Sequence, residues 1–108
     1  MAITINLYYT GSNGSAREFA REMCRSGLVG SIRAGAGNLR YEYFFPMEDE
    51  EAVLLIDSWE SQEALDRHHA SPMMARLAEL RERYDLHMRA ERYVSAEAPE
   101  ADEGFIRR

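Results

Sequence analysis

Apolar residues recur along this chain with two periods, and the switches between them mark out its elements. From Ala2 to Thr10, Ile3, Ile5, Leu7 and Tyr9 alternate with Thr4, Asn6 and Tyr8, which is the period of a strand. The turn-forming "GSNGS" follows. Ala16, Phe19, Ala20 and Met23 then recur at helical spacing in "SAREFAREMCRSG", predicting a helix that ends near Gly27. "LVGSIRAGAG" keeps Leu28, Val29 and Ile32 as apolar anchors, but its glycines are costly inside a helix, so a broken helical turn and a loop are expected. In "NLRYEYFFP", Leu39, Tyr41, Tyr43 and Phe45 alternate with Arg40, Glu42 and Phe44, and Pro46 closes a second strand.

Beyond the acidic "MEDEE", the run "AVLLIDSWE" is apolar at successive positions until Asp57, as in a strand covered on both faces and joined to the second as a hairpin. Ser61 is placed to cap a short helix through about Ala70. Ser71 and Pro72 open another, with Met73, Leu77, Leu80 and Tyr84 as its buried stripe. "LHMRAERYV" alternates once more. The order β, α, β, β, α, β, with the second helical region split, predicts an α+β ferredoxin-like fold: an antiparallel sheet with helices on one face. The other face needs covering, and a second copy packed sheet to sheet supplies the cover, so a homodimer is expected. Residues 1–94 make this domain. The tail, residues 95–108, is acidic and too poor in apolar surface to fold alone; it is either a flexible end or a hook that docks Phe105 and Ile106 on the partner.

Composition changes this picture by exclusion. At 45% hydrophobic and 30% charged the chain is ordinary for a globular domain, and at 108 residues it is one domain. A net charge of −6 argues against nucleic acid as a partner. The apolar runs are far too short to span a bilayer and no signal-type start is present, which reads as a cytoplasmic protein off the membrane. Cys24 is the single cysteine, so no disulfide forms within the chain. All 13 basic residues are arginine, which removes Schiff-base chemistry on a lysine, including the usual attachment of pyridoxal phosphate.

The candidate chemistry centres on His68 and His69. At 100° per residue Ala64, Leu65 and His68 share one sector of their helix. His68 should therefore face the interior and His69 the rim, with the two not pointing into one cleft. Neighbouring positions on a helix diverge, so the pair does not read as a metal site. His68 is either a base in a pocket or a core histidine bonded to a backbone carbonyl. Trp59 either stacks on a planar substrate or fills the end of the sheet. Asn6 is an amide in an apolar strand and needs partners that a pocket opening would supply. Arg40 and Glu42 share a face of their strand and are expected to pair across a dimer or with Arg89 and Glu91. The hydroxyls of Tyr41 and Tyr43, and the apolar Phe19, Met73 and Leu77, complete the candidate lining.

"GNLRYE" at Gly37–Glu42, taken with Trp59-Glu60-Ser61, Glu63-Ala64-Leu65, His68 and Ser71-Pro72, resembles the antibiotic biosynthesis monooxygenase superfamily. The likeness runs from Ile3 to about Val94. These are dimeric α/β-barrel proteins that include cofactor-independent quinol oxygenases. The resemblance implies a cleft between sheet and helices in each protomer, where a small aromatic, quinol or polyketide-like substrate reacts directly with dioxygen without metal or flavin. It further implies His68 as base, with Asn6 and Trp59 holding the substrate and Tyr41 nearby. Two departures stand out: Met73 occupies a position where many relatives carry a second histidine, and His69 one where many carry leucine. Haem-degrading members place a histidine ligand on the later helix, where this chain has Ala75, Leu77 and Ala78. Two other functions fit the same pattern: an isomerase or lyase acting on a small carbonyl metabolite, and a small-molecule binding module without catalysis.

Overall fold

Strand β1 (Ile3–Thr10) lies inside a four-stranded sheet because both of its edges are taken, by β3 (Ala52–Trp59) and by β4 (His87–Val94), each antiparallel. β2 (Asn38–Phe44) pairs with the far edge of β3, giving the order β2-β3-β1-β4 in an open antiparallel sheet. The helices α1 (Ser15–Arg25), α2 (Leu28–Arg33), α3 (Gln62–His69) and α4 (Met73–Arg83) fill the connections. This is the expected ferredoxin-like α+β fold, seen in a computed structural model that describes residues 1–108.

Cross-strand partners share a face. The register therefore sets Ile3, Ile5, Leu7 and Tyr9 beside Trp59, Asp57, Leu55 and Val53, and these beside Tyr41 and Tyr43. That face meets Ala16, Phe19 and Met23 of α1, Val29 and Ile32 of α2, Leu65 of α3, and Leu77 and Leu80 of α4 in one core. The glycine-rich segment after α1 forms a short helix over Leu28–Arg33 and then the expected loop into β2. Val29 and Ile32, three residues apart, both bury, and Gly30 lies on the exposed side where its lack of a side chain loses no packing.

Two local features aim α3 and β2. Gly37 has φ +85°, and a Cβ there would sit 2.5 Å from the Cβ of Ala64, so the turn into β2 rests directly on α3. The Ser61 hydroxyl accepts the Ala64 N–H at 3.1 Å and caps α3 as its sequence predicts. Leu39 departs from the expected alternation. The β2–β3 register shifts between Asn38 and Arg40, leaving Leu39 at a bulge and 57% exposed instead of on the face of Tyr41 and Tyr43.

The face turned away from the helices carries Thr4, Asn6 and Tyr8 of β1, Leu54 and Ile56 of β3, and Phe44 of β2, all half-buried. Arg40 and Glu42 pair on it with each other, at 3.0 Å within β2. Arg89 and Glu91 pair at 3.6 Å within β4. Pairing between the two sets does not occur in one chain, because β2 and β4 are opposite edges of the sheet. No helix is long and apolar enough to cross a membrane. After β4, Ser95 exchanges hydrogen bonds with Ala2, and the tail then winds into a 3₁₀ turn at Glu100–Phe105 with Phe105 90% exposed.

Candidate active site

Only Glu60 and Ser61 separate β3 from α3, so the end of the strand and the last turn of the helix are held side by side. The result is a stack: the rings of Trp59 and His68 lie 4.7 Å apart at 25°. Tyr41 approaches His68 edge-on, with centroids 6.2 Å apart. These aromatic contacts hold the His68 ring, which takes the place of the backbone-carbonyl bond considered for a core histidine. Burial lowers the His68 pKa below its ordinary 6.5, and the positive charges of His69 and Arg81 push it the same way.

Asp57 is the residue that sequence reasoning passed over. It is buried on the helix-facing side of β3, two residues before Trp59, and accepts a hydrogen bond from Trp59 Nε1 at 2.6 Å. Burial raises its carboxyl to about 6, against the opposing pull of the Trp59 bond and of His69 and Arg81. An available signal was the one acid inside an otherwise apolar strand, in phase with Leu55 and Trp59. Arg81 on α4 was missed as well. One of its terminal nitrogens donates to the Tyr9 hydroxyl at 2.9 Å, while its Nε is buried without a partner.

These groups line one cavity of about 310 Å³. Its sheet side is Ile5, Leu7, Tyr41 and Asp57, and its helix side carries His68, His69 and Arg81. Both histidines therefore border the same cleft, contrary to the expectation from helical phase. His69 is exposed and His68 buried, as that phase requires, but the cavity opens along the flank of α3 and takes in both, with rings 5.8 Å apart. No cluster of three histidine, cysteine, aspartate or glutamate side chains is placed to hold a metal ion. Behind the Trp59–His68 stack lies a smaller cavity of about 240 Å³, bordered by Ile32, Ala64, Ser71 and Met73.

The other sequence candidates divide. Trp59 and Tyr41 join His68. Met73 borders the rear cavity only. Asn6 does not join them: its register partners are Ile56 and Glu91, so its side chain belongs to the opposite face of the sheet, where its Oδ1 is buried without a partner. Phe19 and Leu77 are fully buried core residues, Phe19 being packed against Tyr9 with ring centroids 5.2 Å apart. Tyr43 faces Phe19 and a separate groove beside α1. That groove is larger, at about 630 Å³, but it lacks the acid and histidines that make the central cavity the candidate site.

A four-stranded antiparallel sheet with helices on one face and a cavity between them places the chain among the ferredoxin-like α+β proteins. Within that class, residues 2–80 match the sequence profile of the antibiotic biosynthesis monooxygenase family, and the chain belongs to that family. Many solved structures share the fold, three of them as follows. A protein from Deinococcus radiodurans is 17% identical, with 93% of this chain and 97% of that chain covered and a TM-score of 0.77. PA3566 from Pseudomonas aeruginosa is 24% identical over 89% and 95%, with a TM-score of 0.74. SnoaB from Streptomyces nogalater, a cofactor-independent oxygenase, is 15% identical over 92% and 97%, with a TM-score of 0.74. No curated protein matches the sequence.

Proposed function

We propose that this protein is a cofactor-independent monooxygenase that oxidises a small aromatic, quinol or polyketide-like molecule with dioxygen in the cavity beside His68. The observation that supports it most is a buried imidazole, its pKa lowered by that burial, lining the same cavity as Arg81, a cation with no ion-pair partner. His68 accepts the proton of a substrate hydroxyl. Arg81 faces the phenolate that results, in surroundings where few water dipoles screen the attraction. The electron-rich ring passes an electron to dioxygen. One oxygen atom then enters a ring carbon as a carbonyl oxygen, and the other leaves as water with that carbon's own hydrogen and the proton held on His68, so no outside reductant is needed. Trp59 backs the His68 ring from behind, and its own angle is set by its bond to Asp57. The volume is at the lower end of the range for ligand sites, which suits a small fused-ring substrate.

Oxygen uptake tests this. Wild-type protein in air should consume oxygen with an anthrone or a naphthohydroquinone faster than the substrate does alone, without added metal or flavin. Uptake no faster than the uncatalysed rate, with hydrogen exchange into a hydroxyketone under nitrogen, would replace the oxygenase with the isomerase. Binding of either compound without turnover would leave a binding module.

The dimer belongs to the same proposal. Half-buried Tyr8, Leu54, Ile56 and Phe44 on one face of an open sheet form an apolar surface of the kind a second sheet covers. Leu54→Glu with Ile56→Glu puts two charges at its centre and should shift sedimentation from dimer to monomer, leaving the helical signal intact. A wild-type protein that sediments as a monomer at micromolar concentration would remove the dimer from the reading.

A further inference from the structure

The groove between α1 and the end of β2 takes no part in the chemistry above, yet at about 630 Å³ it is twice the size of the candidate active site. Its apolar walls are Ala20, Tyr43, Phe44 and Phe45, and Arg21, Cys24 and Arg25 stand along it. Arg17, Arg21 and Arg25 recur every fourth residue, so they form a row on one side of α1. The first two lay their guanidinium groups over the Phe45 ring, at 4.6 and 5.4 Å from its centroid. Arg17 is tied to the carbonyls of Pro46 and Asp49, and Arg21 pairs with Glu18. Arg25 belongs to none of the ion pairs. In a chain of net charge −6, this is a local positive row above an apolar trough. Its complement is an acidic segment with exposed apolar side chains.

The chain carries such a segment at its own end. Residues 95–108 hold Glu97, Glu100, Asp102 and Glu103 against Arg107 and Arg108. Arg108 is already paired to Glu103 at 2.8 Å, so Glu97, Glu100 and Asp102 are the acids left without an ion-pair partner. The tail presents Phe105 at 90% and Ile106 at 50% exposure. The side-chain and turn hydrogen bonds of residues 99–108 stay within the tail, from Arg108 to Glu103 and from Asp102 to Pro99. An ordered turn that holds an aromatic ring in water loses the benefit of burying it. The tail leaves β4 and the groove borders β2, the two opposite edges of the sheet. Within one chain the tail would have to cross the whole sheet to reach the groove, and a second copy removes that requirement.

We infer that the C-terminal tail of one copy docks in this groove of another. Phe105 and Ile106 enter between α1 and the Tyr43–Phe45 edge, and Glu100 and Asp102 meet Arg21 and Arg25. The inference rests on the dimer reading and names a second contact for it, apart from the sheet faces.

Cys24 makes the test direct, because the chain's single thiol lies exposed in the groove. In the full-length protein, Phe105→Cys under mild oxidation should give a covalent dimer joined between Cys24 and the introduced thiol, identified by peptide mass spectrometry. Adding Cys24→Ser should abolish it. Arg21→Glu with Arg25→Glu should cut the yield about fivefold, the order expected for losing two exposed ion pairs. Glu100→Arg with Asp102→Arg on the same chain should restore it. A bond only between two introduced thiols, persisting with Cys24→Ser, would overturn the proposal, and so would a Cys24 bond closed within one chain. Sedimentation separates the two contacts: if no Cys24 bond forms while the protein is still a dimer, tail docking fails and the sheet-to-sheet pairing stands.

Discussion

Asp57→Asn is expected to stabilise the protein by about 3 kcal/mol near pH 8 and to lose that advantage as the pH falls. The carboxyl titrates at about 6 in the folded chain, against 3.8 ordinarily. Its raised pKa means that the folded state holds this proton more tightly than the unfolded state does. The stability that the protonated acid contributes is thus complete below 3.8 and is lost as the pH rises through about 6. At neutral pH the protein folds around a buried, desolvated carboxylate. Asparagine keeps an oxygen for Trp59 Nε1 and removes the charge. Urea unfolding of both proteins across this range checks the difference. A gain that is the same at every pH would assign the effect to packing, and no gain at alkaline pH would mean that Asp57 is not held as a buried charge. A buried ion kept at the expense of stability beside a cavity is a mark of a functional site.

His68→Ala should lower the rate of oxygen uptake by about 10²- to 10⁴-fold, the usual contribution of a positioned base. His68→Gln, which keeps much of the side-chain volume and cannot take the proton at neutral pH, should be as slow. The wild-type rate should rise with pH through a pKa below 6.5 and stay flat above neutrality, since the reactive form is the neutral ring. Both variants should lose that acid limb. Activity retained by the glutamine variant would reduce His68 to a wall of the cavity, and an unaltered pH profile in either variant would move the base elsewhere, with Asp57 next in place. Because His68 is stacked on Trp59, the alanine variant also opens a void. The glutamine variant and thermal melts separate that loss from the chemical one.

Alternation located β1 and β2, a continuous apolar run located β3, and a period of 3.6 located α1, α3 and α4, because each presents apolar residues to one core. β4 was located by its alternation alone, since nearly all of it stays exposed. The same reasoning placed His68 inside, since Ala64, Leu65 and His68 are the buried residues of α3. It failed where neighbours in space are not neighbours in phase. Asn6 looked like a pocket amide because it interrupts an apolar strand, but strand alternation had already put it on the face opposite Ile5 and Leu7. Phe19 and Leu77 were apolar residues at helical spacing, and spacing cannot tell a pocket wall from a filled core. Leu39 was displaced by a bulge that no residue pattern announced.

The order of the elements, the ferredoxin-like plan and the inward turn of His68 were determined by the sequence alone, because they follow from local period and from the need to bury one face. The joining of Asp57, His68, His69 and Arg81 around one cavity, with Trp59 stacked behind His68, was decided by the tertiary structure. Those residues come from a strand and two helices up to 24 positions apart, and only strand register and helix packing set the distances between their side chains. The pKa of Asp57 is likewise a property of its burial, which the surrounding elements create together.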